Sequence, residues 1–197
     1  MRYTAGRMQS ATLRAFLALD FDAEGQATLA KYLCDLRAAP WAAQVRWVSM
    51  ENLHLTLRFL GDITPAQATQ YADALRSGLS RIDNLGVLRL RVSGPRFFPS
   101  AARPRAIACL TDAHPTLDAL AALAESCAVG IGLPEDPRPF RGHITLGRLR
   151  DGRAHGVLSE IPGAWLHSAT ITLYRSQLHP RGPTYSALAK FSLGSQL

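Results

Sequence analysis

The sequence of 197 residues lacks several features that mark particular classes of protein. No apolar run approaches the roughly 18 residues that a membrane-spanning helix needs, so no membrane protein of that kind is expected. The start carries two arginines but neither a long apolar core nor a small-residue cleavage site, so no signal peptide is expected. Residues 1–11 are interpreted as an extension before the first strand, with Met1 or Met8 as the true start.

Cysteine is scarce and scattered. The sequence has Cys34, Cys109 and Cys127 and no C-x-x-C motif. This pattern argues against a disulfide framework or a zinc site, and it is typical of reduced thiols in a cytoplasm. A G-x-S-x-G motif is also missing, which argues against a serine hydrolase of that type. We therefore expect a cytoplasmic protein.

Lysine is almost missing, since only Lys31 and Lys190 occur, yet the formal net charge is +7. The positive charge is therefore nearly all arginine, the residue suited to bidentate contacts with phosphate. A composition rich in Ala, Gly and Pro, as GC-rich genomes encode, explains the arginines equally well. The charge permits a nucleic-acid partner without establishing one.

The sequence predicts strands that alternate with amphipathic helices. Strands are predicted at 13–20, 45–49, 87–99, 103–112, 164–178 and 184–193, and helices at 23–39, 64–80 and 114–130. Thr64 as a cap and Pro65 at the first helical position mark the start of the second helix. The order strand, helix, loop and histidine-containing strand occurs twice. We therefore assign residues 12–197 to one domain with an internal duplication, in which two lobes surround one cleft.

Two of the six histidines lie in nearly identical tetrads, His54-Leu-Thr-Leu and His143-Ile-Thr-Leu. Two copies of H-x-T-L would arise by chance in about one sequence of this composition in a thousand. On a strand, a histidine and the threonine two residues later share one face, and the apolar residues share the other. We therefore predict that His54 and Thr56, and likewise His143 and Thr145, project into the cleft.

Two opposed imidazoles suit acid–base chemistry at a phosphate ester. Imidazole titrates at about pH 6.5, so one ring can act as a base while the other is an acid. Threonine hydroxyls can donate to phosphate oxygens, and a nearby arginine would stabilise the transition state. A metal site is less well supported, because no further ligand stands at a suitable spacing beside the pair. The remaining histidines have ordinary interpretations as a helix cap, loop residues or a polar strand face: His114, His155, His167 and His179.

These motifs resemble those of the two-histidine phosphoesterase superfamily, and within it the bacterial and archaeal RNA 2′,3′-cyclic phosphodiesterases, historically called 2′-5′ RNA ligases. The resemblance covers residues 14–193 and rests on these segments: RAFLALD, WVSMENLHLTLRFLGD, RPRAIACL, RPFRGHITLGRLR and YRSQLHPRGPTYSALAKFSL. One departure is Gly142, where the family usually has proline before the second histidine. We expect this glycine to loosen the strand entrance and to leave the reacting groups untouched.

The resemblance implies an α+β fold of two pseudo-symmetric lobes, each an antiparallel sheet with flanking helices, around a central active-site groove. It implies neither a metal nor a nucleotide cofactor. The implied partner is RNA with a 2′,3′-cyclic phosphate end, with tRNA fragments as one candidate, and we expect a monomer that does not bind membranes.

The resemblance also implies a role for each site residue. His54 would be the general acid that protonates the leaving ribose O3′, and His143 would be the general base that activates water. Thr56 and Thr145 would hold the phosphate. Two further residues complete the implied site: Arg148, which would clamp the phosphate, and Phe59, which would stack on the terminal base. The product would be a 2′-phosphomonoester.

Strict alternation conflicts with two of these roles. Phe59 and Arg148 each follow their histidine by five residues, which places them on the opposite face of a regular strand. Either the strands bulge after the tetrads, as Gly147 would permit in the second copy, or neighbours take these roles. The neighbouring candidates are Arg58 and Arg150 for the phosphate and Phe140 for stacking.

Two other functions use the same residues. A transesterase would join RNA ends through a 2′-5′ linkage, with a ribose hydroxyl in place of water. A non-catalytic module would bind RNA ends, but one tetrad would then be expected to have decayed, and both are intact. Water at roughly 55 M competes with any RNA end that the groove does not hold in place, and the sequence contains no second basic domain that would hold one. Hydrolysis is therefore favoured.

Overall fold

The computed structural model describes residues 11–194 except 83–84, 154–155, 157, 159 and 181. Within that part the chain forms ten strands and three α-helices. The strands are β1 (Leu13–Asp20), β2 (Val45–Trp47), β3 (Leu55–Ile63), β4 (Leu88–Val92), β5 (Arg96–Phe98), β6 (Ala106–Leu110), β7 (His143–Leu149), β8 (Ala164–Ser168), β9 (Thr170–His179) and β10 (Gly182–Ser192). The helices are α1 (Ala23–Arg37), α2 (Pro65–Leu79) and α3 (Pro115–Gly130). His155 and the 1–10 segment of the predicted extension lie outside the described residues.

The main sheet is antiparallel and consists of two four-stranded lobes. The first lobe contains β10, β9, β1 and β3, and the second contains β7, β6 and β5, with β2 also paired to β7. The lobes join where β3 meets β7, through the pair Leu55 and Ile144. The predicted α+β fold with an antiparallel sheet in each lobe is confirmed. We propose that the two lobes arose by duplication.

Strands β4 and β8 form a separate two-stranded ribbon. Two of the predicted strands divide between this ribbon and the main sheet. The segment 87–99 was expected to be one strand, but it divides into β4 in the ribbon and β5 in the main sheet. A Cβ atom at Gly94 would overlap the backbone of Ile161, so the chain bends there at a residue without a side chain. The segment 164–178 divides in the same way into β8 and β9, on either side of Ala169.

The helices begin at side chains that cap free backbone N–H groups. Asp22 accepts a hydrogen bond from the Gly25 N–H at 2.8 Å at the start of α1. The predicted start of α2 is confirmed, because Thr64 accepts from the N–H of Gln67 and the Gln67 side chain accepts from the N–H of Thr64. His114 caps α3 by accepting from the N–H of Leu117 at 3.3 Å, as expected for a histidine before Pro115.

The core lies between the sheet and the buried faces of the helices. In the described residues α3 packs against β3, α2 against β10 and α1 against β8. The fully buried Tyr71 joins two helices, because its hydroxyl donates to the carbonyl of Ala124 at 3.1 Å. The three cysteines are unpaired here: Cys34 is exposed, and Cys109 and Cys127 are buried. Burial raises the pKa of the Cys109 thiol to about 12, so this thiol is unreactive at neutral pH.

Candidate active site

The two histidine tetrads lie side by side at the junction of the lobes. The pair that joins β3 to β7 consists of the residue after His54 and the residue after His143. The apolar residues of both tetrads are buried in the core: Leu55, Leu57, Ile144 and Leu146. Thr56 and Thr145 are half-buried, as are the two histidines. The structure therefore brings together the four side chains that the tetrads were predicted to present.

Both imidazoles are oriented by the same local hydrogen bond. His54 Nδ1 lies 2.7 Å from the carbonyl oxygen of Asn52, and His143 Nδ1 lies 2.8 Å from the carbonyl oxygen of Arg141. A carbonyl only accepts, so Nδ1 carries the proton in each ring and Nε2 is the nitrogen left for chemistry. His54 Nε2 lies 3.0 Å from the hydroxyl of Thr56.

The environment lowers the pKa of both histidines. For His54, burial is the largest cause, and the positive charges of His143 and Arg148 act in the same direction. The Asn52 carbonyl and the Asp20 carboxylate oppose this change and raise the pKa of His54. Burial is also the largest cause of the lowered pKa of His143, and the positive charges of Arg148 and Arg141 lower it further. The carbonyl to which Nδ1 donates acts in the opposite direction and raises this pKa.

A bulge in β7 brings Arg148 to the face of the histidines. Consecutive residues of β6 pair with Thr145 and Gly147, so Leu146 is an extra residue in the second strand. Leu146 and Gly147 are therefore both buried, and Arg148 becomes exposed. The positive charge of Arg148 lowers the pKa of both histidines and of Tyr185, as expected for a guanidinium on the same face of the sheet.

A second bulge, in β3, changes the direction of Phe59. Consecutive residues of β1 pair with Thr56 and Arg58, so Leu57 is the extra residue there. Phe59 then lies beside the ring of Phe16, with 5.9 Å between centroids, and it is 49% exposed. Phe16 in turn contacts the imidazole of the first tetrad. The conflict with strict alternation thus disappears for Phe59 as it does for the arginine.

The alternative candidates have other contacts. Arg58 forms an ion pair with Glu125 of α3, with 2.6 Å between Nε and Oε2. The Nε of Arg150 donates to the carbonyl of Ala43 at 3.2 Å. Phe140 is partly buried against the core. These contacts tie all three side chains to the scaffold.

The strand entrance before the second tetrad is tightly packed, contrary to the expectation for Gly142. The Thr111 N–H donates to the carbonyl of Gly142 at 3.0 Å. A Cβ atom at Gly142 would overlap the side chain of Thr111 and would lie 3.2 Å from Leu117. Thr111 therefore occupies the space that a proline ring would need.

Aromatic side chains contact both imidazoles, and most of them could not be predicted from the sequence. The ring of Phe16 lies 4.9 Å from that of His54, and the ring of Tyr185 lies 5.5 Å from it, edge-on. Phe98 stacks on His143, with 4.2 Å between centroids and 17° between planes. These contacts come from β1, β5 and β10, which are distant from the tetrads along the chain. No local motif could have indicated them.

A polar cavity of about 230 Å³ adjoins the first tetrad. Its lining consists of Asp20, Gln26, Glu51, Leu53, His54, Tyr174, Tyr185 and Lys190. The Tyr174 hydroxyl donates to Asp20 Oδ1 at 2.8 Å, and the Thr172 hydroxyl donates to Asp20 Oδ2. The carboxylate is therefore held in place beside the imidazole.

The described residues contain neither a membrane-spanning helix nor a cluster of metal ligands. None of the helices there is both long and apolar enough to cross a membrane. In the same residues no three side chains of His, Cys, Asp or Glu converge as a metal site would require.

Comparison with known proteins identifies the family. A family model for LigT-like phosphoesterases matches residues 19–108, which include the first tetrad. An RNA 2′,3′-cyclic phosphodiesterase of Thermus thermophilus is 33% identical over 176 residues, which are 81% of this chain and 85% of the relative. One from Methanothermobacter thermautotrophicus is 27% identical, over 92% of this chain and 99% of the relative.

Solved structures give the same result. Escherichia coli LigT in complex with 3′-AMP has a TM-score of 0.74 and 25% identity, over 94% of this chain and all of that one. TT0787 of Thermus thermophilus has a TM-score of 0.73 and 28% identity, with the same coverage. The resemblance predicted from the tetrads is thereby confirmed, and the chain belongs to the LigT-like phosphoesterase family of enzymes.

Proposed function

We propose that this protein hydrolyses the 2′,3′-cyclic phosphate end of RNA to a 2′-phosphomonoester, by acid–base catalysis with His54 and His143. One observation carries the proposal: the two tetrads adjoin at the lobe junction, and each imidazole has its Nδ1 bound to a carbonyl, which leaves Nε2 for proton transfer. Relatives named RNA 2′,3′-cyclic phosphodiesterases support the choice of substrate.

The proposed reaction moves one proton at each histidine. His143 Nε2 removes a proton from water as the water oxygen bonds to phosphorus. The bond between phosphorus and O3′ breaks, and His54 gives its Nε2 proton to O3′, so that the phosphate stays on O2′. The step needs a neutral His143 and a protonated His54. No metal takes part in it.

Three further side chains would bind the phosphate. Arg148 would pair with the non-bridging oxygens, on which negative charge grows in the transition state. The hydroxyls of Thr56 and Thr145 would donate to the same oxygens, and Thr56 would exchange its contact with His54 for one with phosphate. The phosphodiester anion also raises the pKa of the buried imidazoles, which offsets the effect of burial and favours the protonated acid.

The exposed ring of Phe59 would stack on the terminal base. Every base has a π-face, so any base can stack on an aromatic side chain. The ring of Phe16 packs against that of Phe59, with 5.9 Å between centroids. The partner would then be the end of an RNA chain, with tRNA fragments as candidates. The monomeric state and the cytoplasmic location stay predictions from the sequence. Light scattering on the purified protein would test the monomeric state.

The decisive assay uses an oligonucleotide with a 2′,3′-cyclic phosphate end and maps the position of the product phosphate. We expect a 2′-phosphate, formed equally well after EDTA treatment. His54→Ala and His143→Ala should each reduce turnover to below a hundredth of wild type while keeping the thermal midpoint. His179→Ala is the matched control, because His179 lies at the exposed end of β9 and bonds to Thr184. A joined RNA product would favour ligation, and binding without turnover would favour a non-catalytic module.

The individual roles are tested with a better leaving group. Nitrophenolate leaves without a proton, so a p-nitrophenyl phosphodiester does not need the general acid. On this substrate His54→Ala should recover much of its lost rate, and His143→Ala should stay inactive. Recovery of the His143 variant instead would mean that the two roles are reversed.

A further inference from the structure

The two tetrads are alike, yet the proposed reaction needs one imidazole protonated and the other neutral. The strand next to each tetrad differs between the lobes. In the first lobe, β1 pairs the residue before Asp20 with the residue after His54, which places Asp20 opposite His54. In the second lobe, β6 pairs Leu110 directly with His143. Equivalent positions in the two lobes thus hold a carboxylate and a leucine.

The Asp20 carboxylate is fixed in this position. One of its oxygens accepts from the hydroxyl of Tyr174, and the other accepts from the hydroxyl of Thr172, whose side chain is fully buried. Both donors lie on β9, the strand on the other side of β1. Asp20 and His54 line the same small cavity, so the charge acts on the ring over a short distance.

Other charged and titratable groups also face His54. They are His143 and Arg148 from β7, Tyr174 from β9, Tyr185 and Lys190 from β10, and Glu51 from the turn before β3. Among the charges that change the pKa of His54, Asp20 raises it, whereas His143 and Arg148 lower it. At His143 the charges of Arg141 and Arg148 both lower the pKa. Positive charges therefore act on both rings, and the negative charge of Asp20 is the difference that favours a proton on His54.

We propose that Asp20 is a positioning residue that makes His54 the general acid, and that Leu110 at the equivalent position leaves His143 neutral as the general base. This inference rests on the proposed acid–base hydrolysis. Asp20 does not touch the substrate in this proposal. It acts by stabilising the proton on His54, and it breaks the pseudo-symmetry of the site at the position opposite each histidine.

The test is Asp20→Asn, which keeps the size of the side chain and an oxygen that can accept from one hydroxyl. NMR titration of the ring protons should show the pKa of His54 falling by about one unit, because an opposite charge has been removed. The pKa of His143 should stay constant. Glu51→Gln is the matched control, since it removes a carboxylate from the same cavity and should leave the titration of His54 in place.

Kinetics give a second readout. A protonated acid is needed, so the alkaline limb of the kcat/KM profile should move about one unit to lower pH, a loss of about tenfold above that limb. The acid limb of the same profile depends on the pKa of His143 and should keep its position. On the p-nitrophenyl substrate the effect of Asp20→Asn should vanish, which a merely structural role would not produce.

Leu110→Asp tests the same idea in the other lobe and does not depend on the folding of the first variant. It should raise the pKa of His143 and move the acid limb to higher pH. An unchanged His54 titration in Asp20→Asn, or a change at His143 in its place, would overturn the proposal. If the wild-type protein does not cleave a cyclic phosphate, the proposed function fails, and the NMR titrations still decide whether Asp20 controls His54.

Discussion

Gly147→Ala tests whether the bulge in β7 is what brings Arg148 to the histidines. A Cβ atom at Gly147 would lie 2.5 Å from Cγ1 of Val45 and 2.9 Å from Cε3 of Trp47. The indole cannot move away freely, because its Nε1 donates to the carbonyl of Ala42 at 3.1 Å. The strand must therefore shift next to the arginine. Overpacking of this kind costs about 1–3 kcal/mol.

The assay measures stability and activity together. In a protein of this size each kcal/mol lowers the thermal midpoint by about 2–4 °C, so we expect a loss of roughly 2–12 °C. The value of kcat/KM, measured well below that midpoint, should fall at least tenfold because Arg148 is displaced. Gly86→Ala is the control, since nothing lies within 4 Å of a Cβ there. Val45→Ala should restore part of both losses in the Gly147→Ala background. The bulge argument fails if Gly147→Ala behaves like Gly86→Ala in both measurements.

The other site residues give three further predictions. Phe59→Ala should raise KM for cyclic-phosphate oligonucleotides about tenfold with little change in kcat, since losing a base stack costs about 1–3 kcal/mol; a fall in kcat alone would contradict stacking. Arg148→Ala should reduce kcat by about 10²–10³-fold and raise the pKa of both histidines in NMR titrations, and Arg148→Lys should keep these pKa values low. Burial lowers the pKa of His54 and His143, so at falling pH the unfolded chain binds protons before the folded protein does. Urea unfolding should therefore show the free energy of unfolding decreasing as the pH drops below about 6.5. The double variant with glutamine at both positions should lose part of that dependence.

Much of the fold could be predicted because its signals are local. The start of α2 depends on Thr64, Pro65 and Gln67, which lie within four residues of one another. The tetrads were visible because alternation along a strand separates the buried leucines from the polar side chains. Hydrophobic pattern and capping residues therefore identified most helices and strands. The two strands that divide between the ribbon and the main sheet were missed, because a change of sheet alters neither pattern.

The direction of the side chains after each tetrad could not be predicted, because it depends on pairing with another strand. An extra residue at Leu57 and another at Leu146 reverse the alternation, and both positions are ordinary leucines. Arg58 was a reasonable candidate for the site by alternation alone. Its partner Glu125 lies 67 residues away on α3. Such a pairing follows from the packing of α3 on β3, which no segment of the sequence encodes by itself.

A two-lobed site with equivalent tetrads has an inherent problem, since a symmetric pair of imidazoles would share its protons equally. The tetrads orient both rings in the same way, through Nδ1 and the carbonyl two residues earlier. Burial lowers both pKa values and encloses His54 more completely than His143, so it does not favour a proton on His54. The distinction has to come from outside the motif. The strands that flank the tetrads supply it, with Asp20 beside one ring and Leu110 beside the other. The double variant Asp20→Leu with Leu110→Asp should therefore lose most of its activity near neutral pH, because His54 next to the leaving O3′ would lack its proton and His143 next to the water would hold one.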